Sequence, residues 1–362
     1  MGYPKLNIYP QRIKNNGKIL FNVCQKAGVK PVAVIKGANA HPAIIDALVE
    51  AGYDCLCSSR LSQLAAVKQR YPHIATMALR IPMLSELSEL VKYADISLNS
   101  EPQLLKALDK EAQNQGKRHQ VILMRDLGDL REGQFVPEDF YSLALLAEKL
   151  PNLHLLGIGT NLTCYGSVVP TNKNLSELAE NAAEIEQRIG RELEVISGGS
   201  TSSLPLVVHG GLPQDINQLR LGEALLVPCD LIDYWQTPIE GLTNRGLILQ
   251  AEIVEIGEKP TMPIGQLAVN AFGAESCYED RGIRKRAILA LGVADIGDES
   301  KLIPEDSDVK ILGASSDHLI VDIQDCKTDY HLGDVLSFQL RYKTMLFATA
   351  SPEIEKVVIN EP

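Results

Sequence analysis

The chain has 362 residues, 45% of them hydrophobic and 22% charged, with a formal net charge of −11 from 35 basic and 46 acidic side chains. That length exceeds the usual single core, so two domains, or one large barrel with an addition, are expected. The acidic balance argues against a nucleic-acid backbone or an anionic membrane surface as partner, and the densest basic run, Arg284 to Arg286, reads as a solvated face.

The opening MGYPKLNIYP has no charged segment followed by an apolar one, and no apolar run approaches the ~20 residues of a membrane helix, so a cytoplasmic protein is expected. Within it PKLNIY alternates as a strand does. Eight apolar strand candidates follow: PVAVIKG (31–37), DCLCSS (54–59), IATMALR (74–80), DISLNS (95–100), QVILMRD (120–126), HLLGIGTNL (154–162), EVISGGS (194–200) and QLRLGEALL (218–226). Amphipathic stretches such as 42–51, 140–149 and 174–190 lie between them at helical spacing. Eight strand–helix units with strands apolar on both faces predict a (β/α)8 TIM-type barrel over 10–232. From about 233 to 362 the runs become β-branched, partly alternating and separated by Gly, Pro and Asp, which predicts an all-β C-terminal domain paired with an N-terminal strand over 4–9. One of those runs is DVLSFQLRYKTMLFATAS (334–351).

The seven cysteines, an odd number spread over the whole chain, suit a reducing compartment, and Cys55 and Cys57 read as packed core thiols. The seven histidines have no metal-ligand spacing, so no metal site is expected.

In a barrel of this kind the chemistry gathers at the C-terminal ends of the strands. Lys36, Asp126, Asn161, Ser200 and Arg220 are polar where a buried strand calls for apolar residues or glycine. Lys36 closes the first apolar strand and reads either as a rim lysine or as an amine held for Schiff-base chemistry. The run SGGSTSSL (197–204) brings two glycines and five hydroxyls into one turn, which suits a phosphate as well as a plain flexible loop. Arg220, inside the apolar LRLGEAL, needs a partner and reads as half of a structural salt bridge or as a group facing a ligand. A pyridoxal phosphate site needs an amine for the aldehyde, donors for the phosphate, a group facing the pyridine nitrogen and an acid or base that reaches Cα, and Lys36, the SGGSTSSL turn and Arg220 are candidates for the first three.

The sequence resembles the alanine racemase family, the fold-type III pyridoxal-phosphate enzymes, most closely its ornithine and amino-acid racemase branch. AVIKGANA is similar to the family's K-A-N-A segment and implies Lys36 as the lysine that carries the cofactor. RDLGDLREG is similar to D-T-G-M-x-R-x-G and implies Arg131 at the cofactor's phenolic oxygen. GIGTNLTCYG implies Asn161 where the family stacks a histidine on the ring. SGGSTSSL implies Ser200 and Thr201 as phosphate ligands, and RLG implies Arg220 and Gly222 at the ring nitrogen and beside it. ASSDHLIVD is similar to M-D-x-x-x-x-D and implies Ser316 and Asp317 on the substrate side. The resemblance runs in order over essentially the whole chain.

Two departures stand out. Phe272 occupies the place of the tyrosine that serves as the second base in the family, and AESCYED downstream offers Tyr278 first and Cys277 second. Met124 stands where some members carbamylate a lysine. Asp280, Asp317 and Glu275 are candidates for holding a side-chain ammonium, or equally for a salt bridge at a domain interface. The resemblance implies an isomerase acting on ornithine or another basic amino acid, in a head-to-tail homodimer with shared sites. A fold-type III decarboxylase, a non-catalytic carrier of the cofactor and a cofactor-free Schiff-base aldolase remain as alternatives.

Overall fold

The computed structural model describes residues 2–269, 272–273 and 278–361. The chain divides into two compact units, Gln11–Thr243 and Met1–Pro10 with Asn244–Pro362. The first strand, β1 (Lys5–Ile8), belongs to the second of these.

Unit Gln11–Thr243 is a closed parallel barrel of β2 (Lys30–Val34), β3 (Cys55–Ser58), β4 (Ala75–Ala78), β5 (Ile96–Asn99), β6 (His119–Met124), β7 (Leu153–Gly159), β8 (Val195–Ser197) and β9 (Gln218–Leu221). The ring closes where Lys30 to Ala33 pair with Gln218 to Leu221. Each strand is buried on both faces, which is why the runs are apolar throughout. Val32, Val34, Cys57, Met77, Leu98, Ile122 and Met124 fill the barrel interior. Val121, Leu123, Leu155, Ile158 and Ile196 pack outward, in one cluster with helix residues such as Leu105, Phe140, Leu178 and Ile185. The helices Pro42–Glu50, Pro137–Lys149 and Asn172–Ile189 correspond to the three amphipathic stretches. The last of them starts on Thr171, whose hydroxyl accepts from the Asn174 amide, and stops at Gly190 in the left-handed region.

Cys55 and Cys57 are packed thiols 4.0 Å apart, as read from their spacing. Burial raises the Cys57 thiol well above its usual range, and the Cys55 contact raises it further.

The second unit contains β10 (Leu247–Pro260), β11 (Ile283–Leu289), β12 (Leu302–Pro304), β13 (Lys310–Ala314), β14 (Leu319–Asp322), β15 (Val335–Leu340) and β16 (Glu355–Val358). Their order in the sheet is β12-β15-β10-β11-β14-β13, and β1 pairs antiparallel with β10 and parallel with β16. The alternating PKLNIY therefore does join the C-terminal sheet. The run 334–351 does not stay extended. After β15 the chain turns into a helix, Tyr342–Ala350, started by the Thr344 hydroxyl accepting from the Arg341 amide at 3.1 Å. Its inward residues are Thr344, Met345, Ala348 and Thr349, and with threonines on the buried side it shows no apolar stripe to mark it as a helix. Among the described residues no helix is long and apolar enough to cross a membrane, and no group of three or more His, Cys, Asp or Glu is placed to hold a metal ion.

Candidate active site

Val32 and Val34 face the barrel interior, and Lys36 follows just past the end of β2, after Ile35 at φ −99° and ψ 1° has left the extended region. The Ile35 amide still bonds the Cys57 carbonyl at 2.8 Å, which keeps the chain in register for one more residue. A 3₁₀ turn over Lys36–Ala38 then reverses it through Asn39 and Ala40, both in the left-handed region at φ 46° and 50°. Two consecutive non-glycine residues there are costly and persist only where neighbours hold them. The Asn39 carboxamide oxygen accepts from Gln63 at 2.9 Å, and the Gln63 oxygen accepts in turn from the Ser58 hydroxyl at 2.5 Å. The turn that aims Lys36 is thus tied to the end of β3.

Burial pushes the Lys36 amine below the ordinary lysine range. Cys164 pulls it back, Arg131 pushes it further down, Glu132 opposes that, and Arg220 adds to it. Those groups come from three different segments of the barrel mouth.

Arg220 lies on β9 and is 4% exposed. Its guanidinium donates to the Ser197 hydroxyl and, at 2.5 Å, to the Thr160 carbonyl. Among the described residues no carboxylate stands within ion-pair distance of it, so the structural salt bridge that its sequence also suggested is not what it makes. Burial works against its charge, partly offset by Cys57 and Glu132. Gly159 leaves the room it needs, because a Cβ there would stand 3.2 Å from the Ser197 Cβ and 3.4 Å from the Arg220 Nη1.

Arg131 and Glu132 ride on the loop after β6. Arg125 anchors that loop from inside: it is 3% exposed and its Nη1 donates to the carbonyls of Asp126, Gln134 and Phe135 at 2.6, 2.8 and 2.7 Å. The Asp126 carboxylate accepts from the amides of Gly128 and Leu130. Gly133, at φ 119°, passes so close that a Cβ would stand 2.6 Å from the Asp126 nitrogen. The buried Asp129 carboxylate then staples this loop to the one after β7, accepting from the amides of Thr163 at 2.9 Å and Tyr165 at 3.0 Å. Cys164 sits between those two amides. Asn161 Nδ2 donates to Glu132 Oε1 at 3.1 Å, and Arg131 Nη2 donates to the same oxygen at 2.7 Å. Burial works against the charge of Arg131, but its hydrogen bonds to Glu132 win and raise it above the usual arginine range.

The Ser/Gly run forms the turn after β8. Gly199 takes φ 107°, the Ser203 hydroxyl bonds back to the Gly198 carbonyl at 2.7 Å, and the Thr201 hydroxyl accepts from the Ala224 amide at 3.4 Å. Gly222 brings the end of β9 against β2, where a Cβ would stand 3.1 Å from that of Val34.

The barrel mouth therefore gathers Lys36, Arg131, Asn161 and Arg220, with the Ser200–Thr201 turn and Gly222 on the neighbouring strand ends. Glu132, Cys164, Arg125 and Asp129 complete it and were not singled out from sequence. Glu132 had one visible sign, a carboxylate beside the motif arginine; nothing marked Cys164. The remaining candidates belong to the other unit. Tyr278 is 45% exposed. Asp280 accepts from the Gly282 amide at 3.0 Å, and the Ser316 hydroxyl donates to Asp317 at 2.6 Å. Gly292 packs on the Ser316 backbone, with no room for a Cβ. Cys277 and Glu275 lie outside the described residues.

Known proteins give this geometry a context. Residues 8–228 match the family described as alanine racemase, N-terminal domain. The chain is 44% identical to ornithine racemase of Acetoanaerobium sticklandii over 99% of its own length and 100% of the relative's. It is 36% identical to lysine racemase of Thermotoga maritima, covering 99% of each chain. The solved alanine racemase from D-cycloserine-producing Streptomyces lavendulae superposes with a TM-score of 0.76 at 14% identity, over 100% of this chain and 98% of that one, and so shares the fold. A family match across the whole barrel and full-length likeness to two racemases lead to one conclusion: the chain is an amino-acid racemase and belongs to the alanine racemase family.

Proposed function

We propose that the chain interconverts the L- and D-forms of ornithine or another basic amino acid, with pyridoxal 5'-phosphate as cofactor. The observation that carries this reading is the Lys36 amine, depressed by burial at a barrel mouth that also holds Arg131 and Arg220. The side-chain preference follows from the full-length similarity to the ornithine and lysine racemases.

The residues suit the cofactor. Arg220 is a buried cation whose partners are neutral acceptors, and Gly222 leaves a space beside Val34 that a Cβ would fill. Lys36 would engage the aldehyde carbon, Ser200 and Thr201 the phosphate, Arg131 the phenolic oxygen, Asn161 the ring and Arg220 the ring nitrogen, with Gly222 beside it. When bound, the cofactor supplies a conjugated system that takes up the electron pair left at Cα.

The chain's own groups move the protons. A lysine amine lowered by burial is neutral over a wider pH range, so its Nζ lone pair is available to take the Cα proton. Arg220 keeps a permanent positive charge, which disfavours a second proton opposite it and favours simple return of a proton at Cα over loss of the carboxylate. Tyr278, with Cys277 as the alternative, delivers the proton on the other face. Ser316, Asp317 and Asp280 meet the polar groups of the substrate. In this reading residues 10–232 form the cofactor-binding domain, 233–362 with 4–9 complete a neighbour's site in a head-to-tail homodimer, and the enzyme works in the cytoplasm.

The test is a screen of single enantiomers of ornithine, lysine, arginine and alanine with the cofactor-loaded protein, read by chiral chromatography. Equal mixtures from either enantiomer of ornithine or lysine are expected. Release of carbon dioxide, or no conversion of any basic amino acid, would overturn the proposal.

A further inference from the structure

Glu132 has a neighbourhood that the chemistry above leaves unused. Its side chain is 14% exposed, although it sits on a loop at the mouth of the barrel. Both of its oxygens are engaged by the Arg131 guanidinium, through Nε and Nη2, and Oε1 also takes the Asn161 amide from the loop after β7. Side chains next to each other in sequence seldom meet. Here Leu130 at φ 56° and Gly133 at φ 119° fold the loop so that Arg131 and Glu132 do. The charge of Glu132 also reaches both Lys36 and Arg220.

We propose that Glu132 is a positioning residue of the site: its carboxylate binds Arg131 and Asn161 into one rigid unit, and its negative charge balances the two guanidinium groups acting on Lys36. The first role follows from geometry. A carboxylate holding two donors from two loops fixes the orientation of both, and with Nδ2 engaged the Asn161 oxygen faces away from Glu132. The second follows from the charges around the amine. Arg131 on the loop after β6 and Arg220 on β9 both disfavour an ammonium at Lys36, whereas Glu132 on the first loop and Cys164 on the loop after β7 favour it. Without Glu132 the amine would be lowered further and Arg131 would be free to swing out.

The inference rests on the proposed function, and its test separates the two. Glu132→Gln keeps the shape and an acceptor for Asn161 but removes the charge; Glu132→Ala removes both. The cofactor-free proteins, reductively methylated with ¹³C, are titrated by NMR, with the Lys36 signal assigned by its loss in Lys36→Arg. Glu132→Gln should move the Lys36 titration to lower pH by roughly half a unit to one unit, and the acid limb of kcat/KM with it. Glu132→Ala should do the same and hold pyridoxal phosphate about tenfold more weakly. Circular dichroism verifies that both variants are folded. A Lys36 titration unchanged in both variants, with cofactor retention at the wild-type level, would overturn the inference. If Lys36→Ala still racemises, the proposed function fails while the cofactor-free titration keeps its meaning. If Lys36→Ala is inactive while both Glu132 variants leave the Lys36 titration and cofactor retention unchanged, only the present inference fails.

Discussion

Replacing Arg125 by methionine tests how the Arg131 loop is held. The stem of the arginine is matched in bulk, but a buried cation and its donors disappear. The carbonyls of Asp126, Gln134 and Phe135, at 2.6, 2.8 and 2.7 Å, lose their donor, and so does the Asn181 side-chain oxygen at 2.9 Å. Hydrogen bonds from a charged donor are worth ~1.5–3 kcal/mol each, and buried acceptors left unpaired cost more than the bond itself. Those contributions do not add, and removing the arginine also removes its own desolvation cost, so a net loss of ~3–5 kcal/mol is expected. The ion pair to Glu177 adds little, because that carboxylate is 50% exposed. Urea unfolding of Arg125→Met and wild type at one fixed pyridoxal phosphate concentration measures the difference. Cofactor retention should fall in parallel, since the same loop carries Arg131 and Glu132. A loss below ~1 kcal/mol with normal retention would refute the claim that Arg125 anchors the loop.

Two further predictions concern the scaffold. Gly157 lies where β7 meets β8, and a Cβ there would fall 1.8 Å from the Val195 carbonyl oxygen. Gly157→Ala should therefore cost ~3 kcal/mol or more or fail to fold, and a variant as stable as wild type would show that the strands can separate freely. His119 is 3% exposed, and burial lowers it to about 4, with Lys117 pushing the same way and Asp95 against. The unfolded chain, with an ordinary histidine near ~6.5, then binds the extra proton across that interval. Stability present at neutral pH should drain away by ~3 kcal/mol as the pH falls from ~6.5 to about 4. His119→Gln should flatten that slope in urea unfolding, and an equal loss in both proteins would contradict it.

The barrel was legible because each of its eight strands is buried on both faces, which leaves a near-continuous apolar run such as Lys30–Val34 or His119–Met124. The helix at 342–350 was not, since its buried side carries Thr344 and Thr349 and breaks the apolar stripe that marks a helix. The place of Lys36 at the barrel mouth could be read from its position at the end of the first apolar strand. What fixes the site in space could not. Asp129 acts on amides 34 and 36 residues away, and Glu132 meets Asn161 at a separation of 29, so these contacts exist only once the loops are folded together. Arg220 shows the same limit: its sequence allowed a salt bridge or a ligand-facing cation, and only the fold shows that its partners, the Ser197 hydroxyl and the Thr160 carbonyl, are neutral.

The central claim is that Lys36 is the base on one face of Cα, exchanging its proton there while a second group serves the other face. Cofactor-loaded protein incubated with L-ornithine in deuterated water, followed by proton NMR and chiral chromatography, tests it directly. Deuterium should enter Cα in step with the appearance of D-ornithine, and Lys36→Ala should slow both by on the order of 10²–10⁴-fold. Racemisation and exchange at the wild-type rate in Lys36→Ala would contradict the account.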